Sequence, residues 1–109
     1  MFMKDDKAKN RLELIDPEFI LGLGAVLTFG ADKYEANNWK LGGSDKDLAR
    51  IRGAMLRHQM ALATGEEVDP ESGINHTYHI ACNAMFLAYH SRNDRVQTVM
   101  VFEDDGGTE

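Results

Sequence analysis

The feature that most constrains the fold is a helical repeat of apolar residues between two helix-end signals in the middle of the chain. Its members follow one another at intervals of three, four, three and four residues: Leu48, Ile51, Met55, His58 and Leu62. These intervals place all of them on one face of an α-helix. Ser44 or Asp45 can cap the start of this helix, and Gly65 can end it. The pattern predicts a helix over roughly residues 46–64, with a histidine in its apolar face.

An earlier helix is predicted from the signals at its start. Asp16 can cap it, Pro17 suits the first helical position, and Glu18 complements the positive end of the helix dipole. One apolar row then follows, with a second row beside it: Ile20, Leu23 and Leu27, then Phe19, Val26 and Phe29. Three glycines weaken this helix but permit the close approach of a partner helix: Gly22, Gly24 and Gly30.

A third helix is predicted over roughly residues 72–91, after the acidic turn of residues 65–73. Two of its rows are typical of a core: Ile74, Tyr78, Ala81, Met85 and Ala88, and also Ile80, Ala84 and Leu87. Another stripe of the same helix carries polar side chains: Ser72, His76, His79, Asn83 and His90. The short turn makes the second and third helices antiparallel neighbours.

The three helices predict an all-α fold, a small helical bundle that forms one domain over residues 1–109. We expect residues 1–12 and 103–109 to be flexible, and residues 96–102 to form a short strand or extended arm. A chain of 109 residues buries a small core. The glycine-rich first helix and the apolar arm therefore predict self-association, as a dimer or a tetramer.

Composition narrows the function classes. A net charge of −6 argues against binding to a nucleic acid polymer, although a few cations and a metal can still hold one nucleotide. A single cysteine, Cys82, excludes an internal disulfide, fits a reducing compartment and is expected in the core. The first ten residues lack the apolar stretch that is typical of a signal peptide, and no apolar run reaches membrane-spanning length. We therefore expect a cytoplasmic protein that contacts no membrane.

The strongest chemical signal is a set of metal-binding side chains that the two later helices and their turn bring together. It consists of three histidines and four acids within 22 residues: His58, Glu66, Glu67, Asp69, Glu71, His76 and His79. Mixed imidazole and carboxylate ligands suit Mn²⁺, Co²⁺ or Zn²⁺, and Mg²⁺ where carboxylates dominate. Taken singly, His58 fits a hydrogen-bonded core histidine, and the acidic turn fits solvated surface. A metal site and a structural polar cluster both remain open.

A second group of residues has the chemistry of a nucleotide pocket. Lys33 can reach a phosphate, the rings of Tyr34 and Trp39 can stack on a base, and Asn38 can pair with a purine edge. The two aromatic rings can equally close the core beneath the following glycines. Arg57 can contact a phosphate or pair with the acids of the turn.

The motifs resemble those of the phage dATP/dGTP diphosphohydrolase family, the MazZ-like and MazG-related group associated with 2-aminoadenine phage genomes. The resemblance covers roughly residues 25–90. Its motifs are Gly30-Ala31-Asp32-Lys33-Tyr34, Asn38-Trp39, Arg57-His58, Gly65-Glu66, Asp69-Pro70-Glu71-Ser72-Gly73, His76, His79 and Asn83. It implies an oligomeric MazG-like helical bundle that hydrolyses dGTP or dATP to the monophosphate and pyrophosphate. It also implies a divalent metal, Mg²⁺, Mn²⁺ or Co²⁺, and a supply of dGMP for modified-purine DNA.

The resemblance also implies roles for single residues. The metal site would be formed by His58, Glu66, Asp69, Glu71 and His79, and the catalytic groups would be Glu66, Glu71 and His58. The substrate would be bound by Lys33, Tyr34, Asn38, Trp39, Arg57, His76 and Asn83. The chain departs from the MazG-like signature of Glu-x-x-Glu followed by Glu-x-x-Asp. Its nearest analogues are Asp32-x-x-Glu35 and Glu66-x-x-Asp69.

Two rival functions stand beside this one, and the sequence disfavours the first. A His-Asp triphosphohydrolase would need an Asp directly after a metal-binding histidine, and none of the four histidines has one. A non-catalytic helical module, which binds nucleotide or a partner through a structural metal or polar seam, would lose its fold with its metal. An enzyme would instead stay folded and become inactive.

Overall fold

A computed structural model describes residues 9–92 of the chain. It contains three α-helices and, over these residues, no β-strand: α1 (Pro17–Lys33), α2 (Asp45–Ala63) and α3 (His76–Ser91). Short 3₁₀ helices at Leu12–Leu14 and Asn38–Leu41 precede α1 and α2. The predicted all-helical fold is confirmed for these residues. The predicted arm at 96–102 lies outside them.

Local signals set both ends of α2 and the start of α1. The carboxylate of Asp16 accepts a hydrogen bond from the backbone N–H of Glu18 at 3.2 Å, with Pro17 in the first turn. The Ser44 hydroxyl accepts one from the N–H of Asp47 at 3.1 Å. After α2, Gly65 has a φ of 97°, a left-handed conformation that favours glycine. These boundaries confirm the predicted start of α1 and both predicted ends of α2.

The third helix begins four residues later than predicted. Residues 72–75 belong to the turn, where an isolated antiparallel bridge pairs Val68 with Asn75. The Asn75 side chain caps the helix by accepting from the N–H of Thr77 at 2.8 Å. The backbone N–H of His76 donates to the carbonyl of Glu67 at 2.9 Å. Hydrogen bonds across the turn therefore replace a first helical turn, and Ser72 and Ile74 lie outside the helix.

Helix α3 contacts both other helices and packs most extensively against α2. Its Tyr78 ring lies against α1, with the centroid 5.7 Å from that of Phe19. A Cβ atom on Gly22 would overlap the Tyr78 ring, whereas Gly24 and Gly30 have no neighbour within 4 Å of such an atom. Of the three glycines predicted to allow close packing, only Gly22 meets a neighbouring helix within residues 9–92.

The buried face of α3 differs from the predicted apolar rows. His76, His79 and Cys82 are its buried residues, whereas Ala84 and Ala88 are exposed. On α1, Val26 is buried and Ile20 is 50% exposed, so the row that contains Ile20 is not a core row throughout. Hydrophobicity alone did not predict the buried face of α3, because His76 and His79 pack against His58 of α2.

Many apolar side chains lie at the surface of the described residues. Val26 and Cys82 are the buried apolar residues, and several large ones are more than half exposed: Leu12, Leu14, Leu21, Leu41, Leu56 and Met60. None of the helices in the described part of the chain combines the length and apolar character needed to cross a membrane.

Candidate active site

One pocket of about 830 Å³ lies between the C-terminal half of α1, the 3₁₀ helix Asn38–Leu41, α2, the acidic turn and α3. Its volume falls in the range of about 300–1,000 Å³ that is common for small-molecule sites. All twelve residues assigned a role from sequence line it: Lys33, Tyr34, Asn38, Trp39, Arg57, His58, Glu66, Asp69, Glu71, His76, His79 and Asn83. The fold therefore brings the two predicted groups of residues into one site.

A chain of hydrogen bonds joins the acidic turn to α3 and α2. Nε2 of His76 lies 2.9 Å from Oε1 of Glu66, and Nδ1 of His76 lies 2.7 Å from Nδ1 of His58. His76 is 3% exposed and is the first residue of α3. Both of its ring nitrogens are therefore engaged inside the protein, one by a carboxylate and one by a second histidine.

A second chain holds His79. The Ser72 hydroxyl donates to Oδ2 of Asp69 at 2.8 Å and lies 2.7 Å from Nε2 of His79. Because the single hydroxyl proton is directed to Asp69, Nε2–H of His79 is the donor to the Ser72 oxygen. The ring of His79 stacks on that of His58, with centroids 4.5 Å apart and planes at 6°.

Burial favours the neutral form of two histidines in the pocket, His58 and His79. It lowers the pKa of His58, and the neighbouring His79 and His76 lower it further. Burial also lowers the pKa of His79, against the opposing influence of Asp69. Burial acts to raise the pKa of Asp69, but hydrogen bonds from the side chain and backbone of Ser72 outweigh it and the net shift is downward. The site thus favours neutral imidazoles beside an ionised carboxylate.

Two cations line the pocket. Nζ of Lys33 lies 2.6 Å from Oε2 of Glu71, and this hydrogen bond raises the pKa of the lysine. Arg57 is exposed and forms no ion pair within residues 9–92. The sequence left two roles open for Arg57, contact with a phosphate or pairing with the acids of the turn. The pairing is not observed within residues 9–92.

Trp39 is held against α3 by three contacts. Its ring stacks on Phe86 at 4.8 Å between centroids and meets the edge of Tyr89 at 4.9 Å. Its carbonyl accepts a hydrogen bond from Nε2–H of His90 at 2.8 Å. Trp39 therefore packs as part of the fold and lines the pocket at the same time. Tyr34 is 66% exposed at the same pocket.

Some residues that the sequence analysis singled out do not line the pocket, and some residues that line it were not predicted. Glu67, Ser72 and His90 are not among the residues that line the pocket, although Ser72 and His90 support residues that are. Phe86 lines it, three residues after Asn83 on the histidine-bearing helix. The spacing of three residues places Phe86 on the same helix face as Asn83, so the sequence could have identified it as a lining residue. Glu35 also lines it, as the second acid of the Asp32-x-x-Glu35 pair.

Cys82 has no role as a nucleophile here. It is 1% exposed, and burial raises its pKa to about 11. A thiol with so high a pKa is almost entirely protonated at neutral pH and therefore inert. The prediction that Cys82 lies in the core is confirmed.

The donor set has the right chemistry for a divalent metal ion, but its members bond to one another. Within residues 9–92, no group of three or more His, Cys, Asp or Glu side chains is arranged to hold an ion. The closest acid–histidine pairs are Glu66 with His76 at 2.9 Å and Asp69 with His79 at 3.5 Å. Four carboxylates line the pocket beside the two cations: Glu35, Glu66, Asp69 and Glu71. An anionic substrate would need added positive charge there.

Comparison with known proteins agrees with the resemblance seen in the motifs. The family described as "dATP/dGTP diphosphohydrolase, N-terminal" matches residues 2–98. A dATP/dGTP diphosphohydrolase of Salmonella phage PMBT28 is 33% identical over 91 residues, which are 84% of this chain and 30% of that protein. This chain therefore spans about a third of the length of that relative. No solved structure matches significantly.

The matched region contains every residue that lines the pocket. The chain belongs to the dATP/dGTP diphosphohydrolase N-terminal family.

Proposed function

We propose that this domain hydrolyses a purine deoxynucleoside triphosphate, dGTP or dATP, to the monophosphate and pyrophosphate with the help of a divalent metal ion. The observation that carries the proposal is the convergence of both predicted groups of residues on one pocket of about 830 Å³. One group has nucleotide-binding chemistry, and the other has acid–base and metal-binding chemistry. The printed name of the phage relative supports the same substrate class.

Different lining residues suit the phosphates and the base of the substrate. Lys33 and Arg57 bind phosphate oxygens, since an ammonium and a guanidinium suit these anions. Tyr34 and Trp39 contact the base, and the amides of Asn38 and Asn83 supply hydrogen-bonding groups. Asn83 already donates one amide N–H to the carbonyl of His79 at 3.0 Å, so its orientation is set by α3.

The reaction is attack of water on the α-phosphorus. A P–O bond forms to the water oxygen, the bond from the α-phosphorus to the oxygen that bridges it to the β-phosphorus breaks, and pyrophosphate leaves with that oxygen. The water proton passes to a base, for which Glu66, Glu71 and a neutral His58 are the candidates in the pocket. His76 contacts two of the three and lies where it can orient them.

A bound Mg²⁺, Mn²⁺ or Co²⁺ would neutralise phosphate charge and lower the pKa of water. The candidate residues to hold it are His58, Glu66, Asp69, Glu71 and His79, whose oxygen and nitrogen donors suit these ions. The excess of carboxylates over cations in the pocket supports this requirement. Supply of dGMP for modified-purine phage DNA is the role that we propose for the product.

We also propose that the domain forms a homo-oligomer, a dimer or a tetramer. Exposed apolar side chains on α1 and α2, among them Leu21, Leu56 and Met60, support this. Light scattering of the purified protein tests it. A monomer at all concentrations would overturn the oligomer and leave the enzymatic proposal untouched.

The enzymatic proposal is tested by incubating the protein with dGTP, dATP, dCTP and dTTP, with Mg²⁺, Mn²⁺ or Co²⁺, and separating the products. We expect metal-dependent release of pyrophosphate with dGMP or dAMP. Tripolyphosphate as the product would instead indicate the His-Asp type of reaction. Four intact triphosphates with every metal, together with saturable nucleotide binding, would replace the enzyme by a non-catalytic binding module.

A further inference from the structure

The proton positions in the Glu66–His76–His58 chain can be worked out from its two distances. A carboxylate oxygen accepts hydrogen bonds and donates none. The contact of 2.9 Å between Oε1 of Glu66 and Nε2 of His76 therefore requires a proton on that nitrogen. In a neutral His76, the proton on Nε2 leaves Nδ1 as a lone pair.

The two Nδ1 atoms of His76 and His58 lie 2.7 Å apart, a hydrogen-bond distance that requires one proton between them. Since His76 offers a lone pair there, the proton belongs to His58. A neutral His58 then carries its proton on Nδ1 and has a lone pair on Nε2. That nitrogen forms no hydrogen bond within the described residues, and His58 lines the pocket.

We propose that Glu66 and His76 are positioning residues that fix His58 in the Nδ1–H tautomer, so that Nε2 of His58 presents a reactive lone pair to the pocket. The catalytic meaning rests on the proposed function, because a neutral nitrogen lone pair can take the proton of water or bind a metal ion. The parallel stacking of His58 on His79 limits rotation of the same ring. In this role Glu66 acts on His58 through His76.

The tautomer can be observed directly, without any turnover. Protein labelled with ¹⁵N-histidine is measured without metal, with chelator, at about pH 8, where imidazoles of ordinary pKa are neutral. Two-bond ¹H–¹⁵N correlations distinguish the two tautomers, and His58→Gln and His76→Gln variants assign the signals. We expect the proton on Nδ1 in His58 and on Nε2 in His76.

Substitutions of Glu66 test the cause of this arrangement. Glu66→Gln keeps an oxygen acceptor and should retain the tautomer pattern. Glu66→Leu removes the acceptor, so His76 can exchange its proton position and His58 should become a mixture of tautomers. The Glu66 side chain is 52% exposed, so the fold can tolerate leucine there. Glu67→Leu is the matched control, an adjacent carboxylate outside the pocket lining, and should change nothing.

Two results would overturn the proposal: a proton on Nε2 of His58 in the unaltered protein, or an unchanged tautomer pattern in Glu66→Leu. Where hydrolysis is observed, Glu66→Leu should lower kcat about 10–100-fold with little effect on KM, and Glu66→Gln should restore part of that loss. Absence of hydrolysis in the unaltered protein would overturn the proposed function alone. The NMR result would still decide the positioning role of Glu66 and His76.

Discussion

Nζ of Lys33, the last residue of α1, lies 2.6 Å from Oε2 of Glu71 in the turn between α2 and α3. This ion pair joins residues 38 positions apart in sequence, and both of them line the pocket. Both side chains are partly exposed, with 41% of the lysine and 60% of the glutamate accessible. Water therefore weakens the pair. Under the proposed function, a triphosphate would take the place of Glu71 on the lysine. The exchange would release the Glu71 carboxylate into the pocket.

Replacing Lys33 by methionine should impair substrate binding and leave the fold intact. We expect a rise in KM of about 10–100-fold, the usual cost of losing a hydrogen bond to a charged group. The thermal unfolding midpoint should change little because the ion pair is exposed. Steady-state kinetics and thermal unfolding check both parts. Lys46→Met, an exposed lysine outside the pocket lining, is the control, and an equal rise in its KM would contradict the role of Lys33.

The stability of the metal-free protein should fall as the solution becomes mildly acidic. Burial lowers the pKa of His58 and of His79 below the ordinary value of 6.5. The unfolded chain therefore binds protons on these imidazoles at a higher pH than the folded chain does. The stability that these two neutral histidines contribute is fully present above pH 6.5 and is lost as the pH falls through their folded-state pKa values.

Thermal unfolding between about pH 8 and pH 5, around the ordinary pKa of histidine, measures this effect. A double variant with asparagine at positions 58 and 79 should show a flatter profile over the same range. A midpoint that stays constant or rises as the pH falls would contradict the prediction.

Substitutions of two glycines of α1 should have opposite effects. Gly22→Ala places a Cβ atom in the ring of Tyr78 and should destabilise the protein by about 1–3 kcal/mol. Gly24→Ala meets nothing within 4 Å and should stabilise the helix by roughly 0.5–1 kcal/mol. Chemical denaturation of the two variants compares them directly. Equal effects would mean that α1 and α3 do not approach each other at Gly22.

The single tryptophan of the chain should report nucleotide binding. Trp39 lines the pocket and stacks on Phe86, so an occupant of the pocket changes the surroundings of the indole ring. Titration with a non-hydrolysable dGTP analogue should give a saturable change in fluorescence. Inorganic tripolyphosphate, which lacks a base, should give a smaller one. No change at analogue concentrations that inhibit turnover would place the base away from Trp39.

Several elements could be predicted from sequence because their causes are local. The caps at Asp16 and Ser44 act through hydrogen bonds to backbone N–H groups two and three residues away. The left-handed Gly65 ends α2 through its own backbone. The seam of α2 follows from helical spacing alone, and each of its five members is at least partly buried. The choice of twelve site residues came from the resemblance together with residue chemistry, and the fold brings all of them to one pocket.

Features that depend on contacts between residues distant in sequence are determined only by the tertiary structure. The sequence pattern predicted the start of α3 four residues too early, because the bridge between Val68 and Asn75 competes with helix formation in the turn. The partner of Trp39 is Phe86, 47 positions away, and no spacing rule could pair them. His76 and His79 can be buried because Glu66 and His58 hydrogen-bond both ring nitrogens of His76, and Ser72 hydrogen-bonds Nε2 of His79. Local interactions therefore determine where α1 and α2 begin and where α2 ends. Packing between the helices determines which face of α3 lines the site.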